Sequence, residues 1–281
     1  MTSQTQTRGQ RSSYVFDQAW QKELERLRSL ETLFDPGSQR HLASRGLGPG
    51  WHCLEVGCGA GSLALWLADR VGPSGSVLAT DLDPRFLDGH GRGNLMVIRH
   101  DLTTDALTPA TFDLIHARAV LVHLRDPQAV LARLVSALRP GGWLLIEDVD
   151  FGGAAATMIG RYTVPTDEAA TFERAYHAIA AVFAGAGADA TFGAQLPALL
   201  TGAGLKDVGG EVHTPIVSGL SGEWVRLSYE HLRQPMLTTG LLTESDTERD
   251  SVFMSDPNSR YLPPFMVSAW GRRATPRPES N

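Results

Sequence analysis

The sequence predicts an α/β chain built on a doubly wound, mostly parallel seven-stranded sheet with helical lid elements above it. Three observations carry that reading. Apolar runs of strand length alternate with helical patterns from about residue 51 to 149, which is the signature of βαβ units whose right-handed crossovers place helices on both faces of a sheet. The first run ends in three glycines on alternate positions, Gly57, Gly59 and Gly61, preceded by an acid, Glu55. The second run ends on another acid, Asp81, twenty residues after Gly61. Glycines without a Cβ can take positive φ and lie close against a ligand. A carboxylate at the end of the second strand can accept both ribose hydroxyl hydrogens. Strand, tight loop, helix, strand, acid is the layout of a nucleoside pocket.

The elements follow in order. Residues 1–13 and 274–281 are polar, Pro- or Ser/Thr-rich and without periodicity, so both are expected to be disordered tails. Over 14–48, apolar residues at 20, 24, 27, 30 and 33 recur at helical spacing and predict one or two amphipathic helices forming an N-terminal lid. The core, 49–150, reads as strands near 51–56, 76–81, 94–99, 112–117 and 143–149, with helices at 60–71, from Pro84, and at 126–138. Residues 151–260 are expected to hold helices over 167–187 and 192–203, a sixth strand over 205–217, and a mostly helical stretch over 221–254 that covers the acceptor side. The last segment, 261–273, carries a seventh strand over 265–272.

Composition narrows the function. The chain has 281 residues, 42% hydrophobic and 20% charged, with a formal net charge of −6 and no Lys/Arg run that could neutralise successive phosphates. It is therefore expected to be globular and not to bind nucleic acid. No apolar stretch reaches membrane-spanning length and residues 1–13 lack a secretory h-region, so the expectation is a cytoplasmic protein without membrane contact, a monomer or a homodimer. Cys53 and Cys58, close together in the first strand and its loop, are too few for a disulfide framework.

The glycine spacing discriminates between nucleosides. A dinucleotide fingerprint needs G-x-G-x-x-G, but from Gly57 the third glycine falls one position early, and from Gly59 position 64 is Ala. Glu55 would repel a pyrophosphate and suits a ligand bearing an ammonium and a sulfonium. Leu54-Glu-Val-Gly-Cys-Gly-Ala-Gly-Ser62 resembles the first motif of the class I S-adenosylmethionine-dependent methyltransferases, and Ala79-Thr-Asp-Leu-Asp-Pro84 their second. His100-Asp101-Leu102, Phe112-Asp-Leu-Ile-His-Ala117 and Leu138-Arg-Pro-Gly-Gly-Trp-Leu-Leu-Ile146 are similar to later blocks, in the family's order over about residues 50–150. The resemblance implies a Rossmann-like methyltransferase fold whose seventh strand inserts antiparallel between strands five and six. It also implies S-adenosyl-L-methionine as cofactor, with S-adenosyl-L-homocysteine as product. By the same resemblance Glu55, Gly57, Gly59 and Gly61 hold the methionine end, Asp81 the ribose, Leu82, Asp101 and Leu102 the adenine, and Ala117 the pocket floor.

In-line methyl transfer asks a protein mainly to align acceptor, methyl and sulfur and to exclude water. The Asn/Asp-Pro-Pro-Tyr/Phe motif of amino-methylating nucleic-acid and protein enzymes is missing after strand four. Metal-dependent relatives carry a carboxylate there, whereas this chain has Ala117 and Arg118, so no metal is expected. Roofs over the site favour a small-molecule acceptor. Tyr14, Phe16, Trp20, Tyr176 and Tyr229 are candidates to bind it, and Arg118 to bind its carbonyl or pair with an acid. A proton could be taken by His177, His231, Asp148 or Asp150. The chain as a whole is similar to actinobacterial methyltransferases of specialised metabolism, a group that includes indole carbon methylation of tryptophan-derived diketopiperazines. Oxygen or nitrogen methylation, and a fold-mate that binds the cofactor without methyl transfer, are the rival readings.

Overall fold

The computed structural model describes residues 15, 16 and 20–275. Tyr14, the 1–13 segment and residues 276–281 lie outside the described residues. Strands β1 (His52–Val56), β2 (Ser76–Asp81), β3 (Leu95–Arg99), β4 (Phe112–Arg118), β5 (Leu138–Asp150), β6 (Lys206–His213) and β7 (Phe265–Arg272) form one sheet of order β3-β2-β1-β4-β5-β7-β6. The pairs from β3 to β5 are parallel, and β7 runs antiparallel to both β5 and β6. Strand order reverses between β1 and β4. The carboxyl ends of neighbouring strands splay apart at such a switch point, which is where open α/β sheets bind ligands.

Helix α1 (Glu23–Ser44) is a single helix that continues through Pro36. Its buried stripe is Glu23, Arg26, Leu30, Phe34, Ser38, His41 and Leu42, so the inward face is as polar as it is apolar. The leucine spacing seen in the sequence therefore marked only part of the buried face. Helices α2 (Ser62–Val71) and α3 (Pro127–Ala137) are crossovers, and Asp126 caps α3 by accepting the Ala129 N–H at 3.0 Å.

After β5 comes α4 (Gly153–Arg161), which the Gly-Gly-Ala-Ala-Ala start conceals from any periodicity argument. Helices α5 (Ala169–Ala186) and α6 (Phe192–Gly202) follow. Strand β6 stops at His213, ahead of Thr214-Pro215, because proline has no N–H to give a ladder. The stretch over 221–254 is two helices, α7 (Glu223–Thr238) and α8 (Glu244–Ser255), the second opened by a Thr243/Asp246 capping box. Helix α1 packs on α7 and α7 on α5. These three roof the switch point. No described helix is long and apolar enough to cross a membrane.

Candidate functional site

A cavity of about 1070 Å³ lies over the carboxyl ends of β1, β2 and β4 and under α1, α5 and α7. One enclosed ligand typically occupies 300–1,000 Å³, so the space suits a cofactor and an acceptor together.

The glycine loop forms one wall. Gly57, Gly59 and Gly61 all have positive φ, at 66°, 55° and 97°. A Cβ at Gly57 would collide with Val120 and one at Gly61 with Leu87, whereas at Gly59 the nearest atom is Leu27 Cδ2 of α1 at 3.5 Å. Gly57 and Gly61 thus serve packing, whereas a Cβ at Gly59 would meet Leu27 only in ordinary van der Waals contact. Gly61→Ala is expected to cost about 2–4 kcal/mol in urea unfolding, from overpacking plus left-handed strain. Gly59→Ala should cost about 1 kcal/mol from strain alone, while weakening any ligand that lies between the loop and α1.

Asp81 ties the loop to the second strand. Its Oδ2 accepts the Gly59 N–H and its Oδ1 the Asp83 N–H, both at 3.0 Å. Burial pushes this carboxyl above its ordinary range. Leu82, Leu102 and Asp101 also line the cavity; Asp101 Oδ1 closes its own turn by accepting the Thr103 N–H at 2.9 Å. Beside them His100 lines the cavity with both ring nitrogens buried and, among the described residues, without a hydrogen-bond partner.

Under the glycine-loop end of the cavity lies a ladder of buried charge. His116 Nδ1 donates to Glu55 Oε2 at 2.8 Å and Nε2 to Glu147 Oε2 at 3.0 Å. Ser268 Oγ donates to Glu147 Oε1 at 2.6 Å and Ser38 Oγ to Glu147 Oε2. Arg118 donates to Ser38 Oγ at 2.9 Å and to Asp35 Oδ1 at 2.8 Å. Burial alone would lower the His116 pKa, but Glu55 and Glu147 outweigh it and push it up to about 9. Burial would raise Glu147, yet its bonds to His116 hold it at about 2. The imidazole is therefore a cation between two carboxylates at neutral pH. Glu55 faces the cavity as one member of a compensated network, not as a lone anion.

The other end of the cavity is walled by rings and aliphatic chains, among them Phe16, Phe151, Phe183, Ile179, Val225 and Leu232. Tyr176 and Tyr229 are part of this wall, but their hydroxyls donate into the protein, to Leu262 O at 2.8 Å and to Asp250 Oδ2 at 2.7 Å. The charged pair here is Glu23–Arg26, almost fully buried at 2.7 Å, with the Arg26 guanidinium 4.0 Å from the Phe16 ring centroid. His123 also lines this end, stacked on Phe183 at 5.2 Å. Burial, then Arg26, pushes its pKa down to about 3, so it is neutral at neutral pH.

Several residues expected at the site stand elsewhere. His177 is exposed on α5 outside the cavity, one position from inward-facing Tyr176. His231 and Trp20 do not line the cavity; they pack on each other at 4.5 Å, with Phe16 against His231 at 5.3 Å. Asp148 is buried on the opposite side of β5 from Val149, which lines the cavity, and burial raises its pKa strongly. Side-chain alternation along the strand puts Asp150 on that far side too, where it accepts the Gly152 N–H at 2.6 Å. Ala117 is fully buried beneath the floor, and the floor itself is Arg118, Ala119 and Val120. Arg118 pairs with Asp35 of α1, not with an acid of β5. Among the described residues no group of three or more His, Cys, Asp or Glu is placed to hold a metal ion. Glu23, Arg26 and His116 are residues sequence reasoning missed. Their one signal was a set of charged or imidazole side chains within apolar helix and strand patterns.

Comparison with known proteins agrees with this geometry. Residues 54–144 match the family described as Methyltransferase domain. The methyltransferase str2 of Strobilurus tenacellus is 39% identical over 104 residues, 36% of each chain. The nocamycin O-methyltransferase of Saccharothrix syringae is 32% identical over 116 residues, 39% of this chain and 41% of that one. The chain thus matches well under half the length of these curated relatives. Among solved structures, phosphoethanolamine N-methyltransferase 2 of Haemonchus contortus in complex with S-adenosyl-L-methionine superimposes with a TM-score of 0.53 at 15% identity, over 92% of this chain and 59% of that one. Residues 54–144 of this chain are thus similar to a methyltransferase domain, and the chain's seven-stranded sheet has the Rossmann-like architecture of the class I methyltransferase fold.

Proposed function

We propose that the protein is an S-adenosyl-L-methionine-dependent methyltransferase acting on a small, largely apolar and aromatic acceptor. The observation that carries this reading is one continuous cavity with a polar, anionic end at the glycine loop and an aromatic end under α1, α5 and α7. The residues fit the cofactor. Gly59 lines the cavity with positive φ, Asp81 stands at the end of β2, and His100 brings to the adenine side two buried nitrogens that have no hydrogen-bond partner among the described residues. Glu55 with the backbone of residues 57–61 would hold the methionine end, Asp81 the ribose, and Leu82, Asp101 and Leu102 the base. When bound, the cofactor supplies a methyl group activated on a sulfonium.

The chain's own part is to bury the acceptor between the rings, exclude water and hold it in line. Phe16, Tyr176 and Tyr229 contribute flat surface to that end. His123, neutral there, replaces His177 and His231 as the imidazole able to take a proton, although burial makes it a weak base. The match to the nocamycin O-methyltransferase supports a small-molecule acceptor. Carbon methylation of an indole fits the aromatic walls.

Incubation with methyl-labelled cofactor and a panel of phenols, enols, indoles and tryptophan-derived diketopiperazines tests the reading. A product heavier by one methylene unit is expected from at least one member. Tight S-adenosyl-L-homocysteine binding without any labelled product would instead identify a cofactor-binding fold-mate.

A further inference from the structure

We infer that Glu31, on the lid helix α1, is the carboxylate that takes the methionyl ammonium of the cofactor, so that the lid itself forms part of the cofactor site. This inference rests on the cofactor reading above.

The first support is position. Glu31 lines the cavity, and its Oε1 accepts the N–H of Ser62, the first residue of α2, at 2.9 Å. It therefore reaches across from α1 to the carboxyl edge of β1, next to the glycine loop. The second support is charge. Among the described residues, Glu31, Asp35, Glu55 and Glu147 stand around this corner with the cations His116 and Arg118. Both cations are committed: His116 lies between Glu55 and Glu147, and Arg118 is bound to Asp35. Glu31 accepts the Ser62 N–H, with the Ser62 side chain also against it, and it has no ion-pair partner among the described residues. Burial raises its pKa, with Asp35 adding to the rise and Arg118 opposing it. A desolvated carboxylate in an anionic corner is stabilised by a cation arriving in the same low-dielectric space. The ammonium of the methionine moiety is a group of the required sign and reach.

Glu55, the acid of the glycine motif, is by contrast already engaged through Oε2 with a buried imidazolium. The ammonium thus meets one carboxylate supplied by the sheet and a second supplied by the lid. Glu31 also helps to satisfy the start of α2, where Gly61 offers no side-chain cap. That structural role has to be separated from the proposed one.

Glu31→Gln does so, because the amide oxygen can still accept the Ser62 N–H while the charge is gone. Calorimetry on the full chain would compare S-adenosyl-L-homocysteine with 5′-methylthioadenosine, which shares the nucleoside and thioether but has no ammonium or carboxylate. The expected result is a loss of affinity for S-adenosyl-L-homocysteine on the order of 10- to 100-fold, the size of a charge-assisted contact, with 5′-methylthioadenosine binding unchanged. Unchanged S-adenosyl-L-homocysteine affinity would overturn the assignment. So would an equal loss for both ligands, which is the mark of a purely structural Glu31. If the wild-type protein binds neither ligand, the cofactor reading fails as well, and the two failures are told apart by the wild-type titration alone.

Discussion

Replacing His116 by phenylalanine is expected to destabilise the protein by about 3–5 kcal/mol, the usual cost of removing one partner from a buried charge network. The ring volume is conserved, so packing is not what is lost. Glu55 and Glu147 are 3% and 2% exposed, and without the imidazolium two buried carboxylates would face each other with Ser38 and Ser268 as remaining donors to Glu147. His116→Gln, which keeps a hydrogen-bond donor, should lose less. Urea unfolding followed by circular dichroism measures both. A change below about 1 kcal/mol for the phenylalanine variant would show that the network does not hold the sheet together.

The same group sets a pH signature. His116 moves from an ordinary 6.5 to about 9 in the folded protein. Between those values the native state holds the proton that the unfolded state releases. Its contribution, on the order of 3 kcal/mol, is therefore complete below pH 6.5 and is lost as pH rises through 9. Glu147, lowered from 4.5 to about 2, contributes fully above pH 4.5 and loses that contribution as pH falls toward 2. Other buried groups act on the acid side: His123, depressed to about 3, destabilises as pH drops below 6.5, while Asp250, raised to about 6, acts in the opposite sense. The difference between wild type and His116→Phe is the clean measure. It should shrink steadily as pH rises from 6.5 toward 9.

What the sequence made legible was whatever depends on neighbours along the chain. The glycine loop, Asp81 and the alternation of strands and helices are local patterns, and β1 to β5 lie close to where those patterns put them. The charge ladder is different, because Glu55, His116 and Glu147 meet only through strand pairing: Glu55 stands opposite His116, and Glu147 opposite Ser268. Glu55 was legible as the acid of the glycine motif, but nothing along the chain ties it to His116 or Glu147. Orientation was the second blind spot. Successive residues on a helix diverge by 100°, so Tyr176 and Tyr229 could face the cavity while His177, one position on, and His231, two positions on, could not. On β5 the two-residue alternation sent Asp148 and Asp150 away from the side that carries Glu147 and Val149. Helix α1 hid its role in another way. Its buried face mixes Glu23, Arg26 and Ser38 with leucines, and a search for apolar periodicity passes over such a face.

Asp81→Asn should lower affinity for S-adenosyl-L-homocysteine on the order of 100-fold, since two hydrogen bonds to an ionised acceptor are at stake, each worth about 1.5–3 kcal/mol. The carboxylate has two tasks that call for the same charge. Its oxygens receive the Gly59 and Asp83 N–H groups, which fixes the loop, and the carboxylate lines the cavity, where ribose hydroxyls would donate to it. An asparagine NH₂ in place of one oxygen would confront a backbone N–H with another donor, so the loop should loosen as well. Hence the variant is expected to lose both stability and affinity, with the affinity loss the larger. Because 5′-methylthioadenosine carries the same ribose, its binding should fall by a similar factor in Asp81→Asn, the opposite of the pattern expected for Glu31→Gln. The pair of variants thereby maps the two ends of the ligand independently. Affinity within about threefold of wild type for both ligands would mean that Asp81 only braces the loop and that the nucleoside lies elsewhere in the cavity.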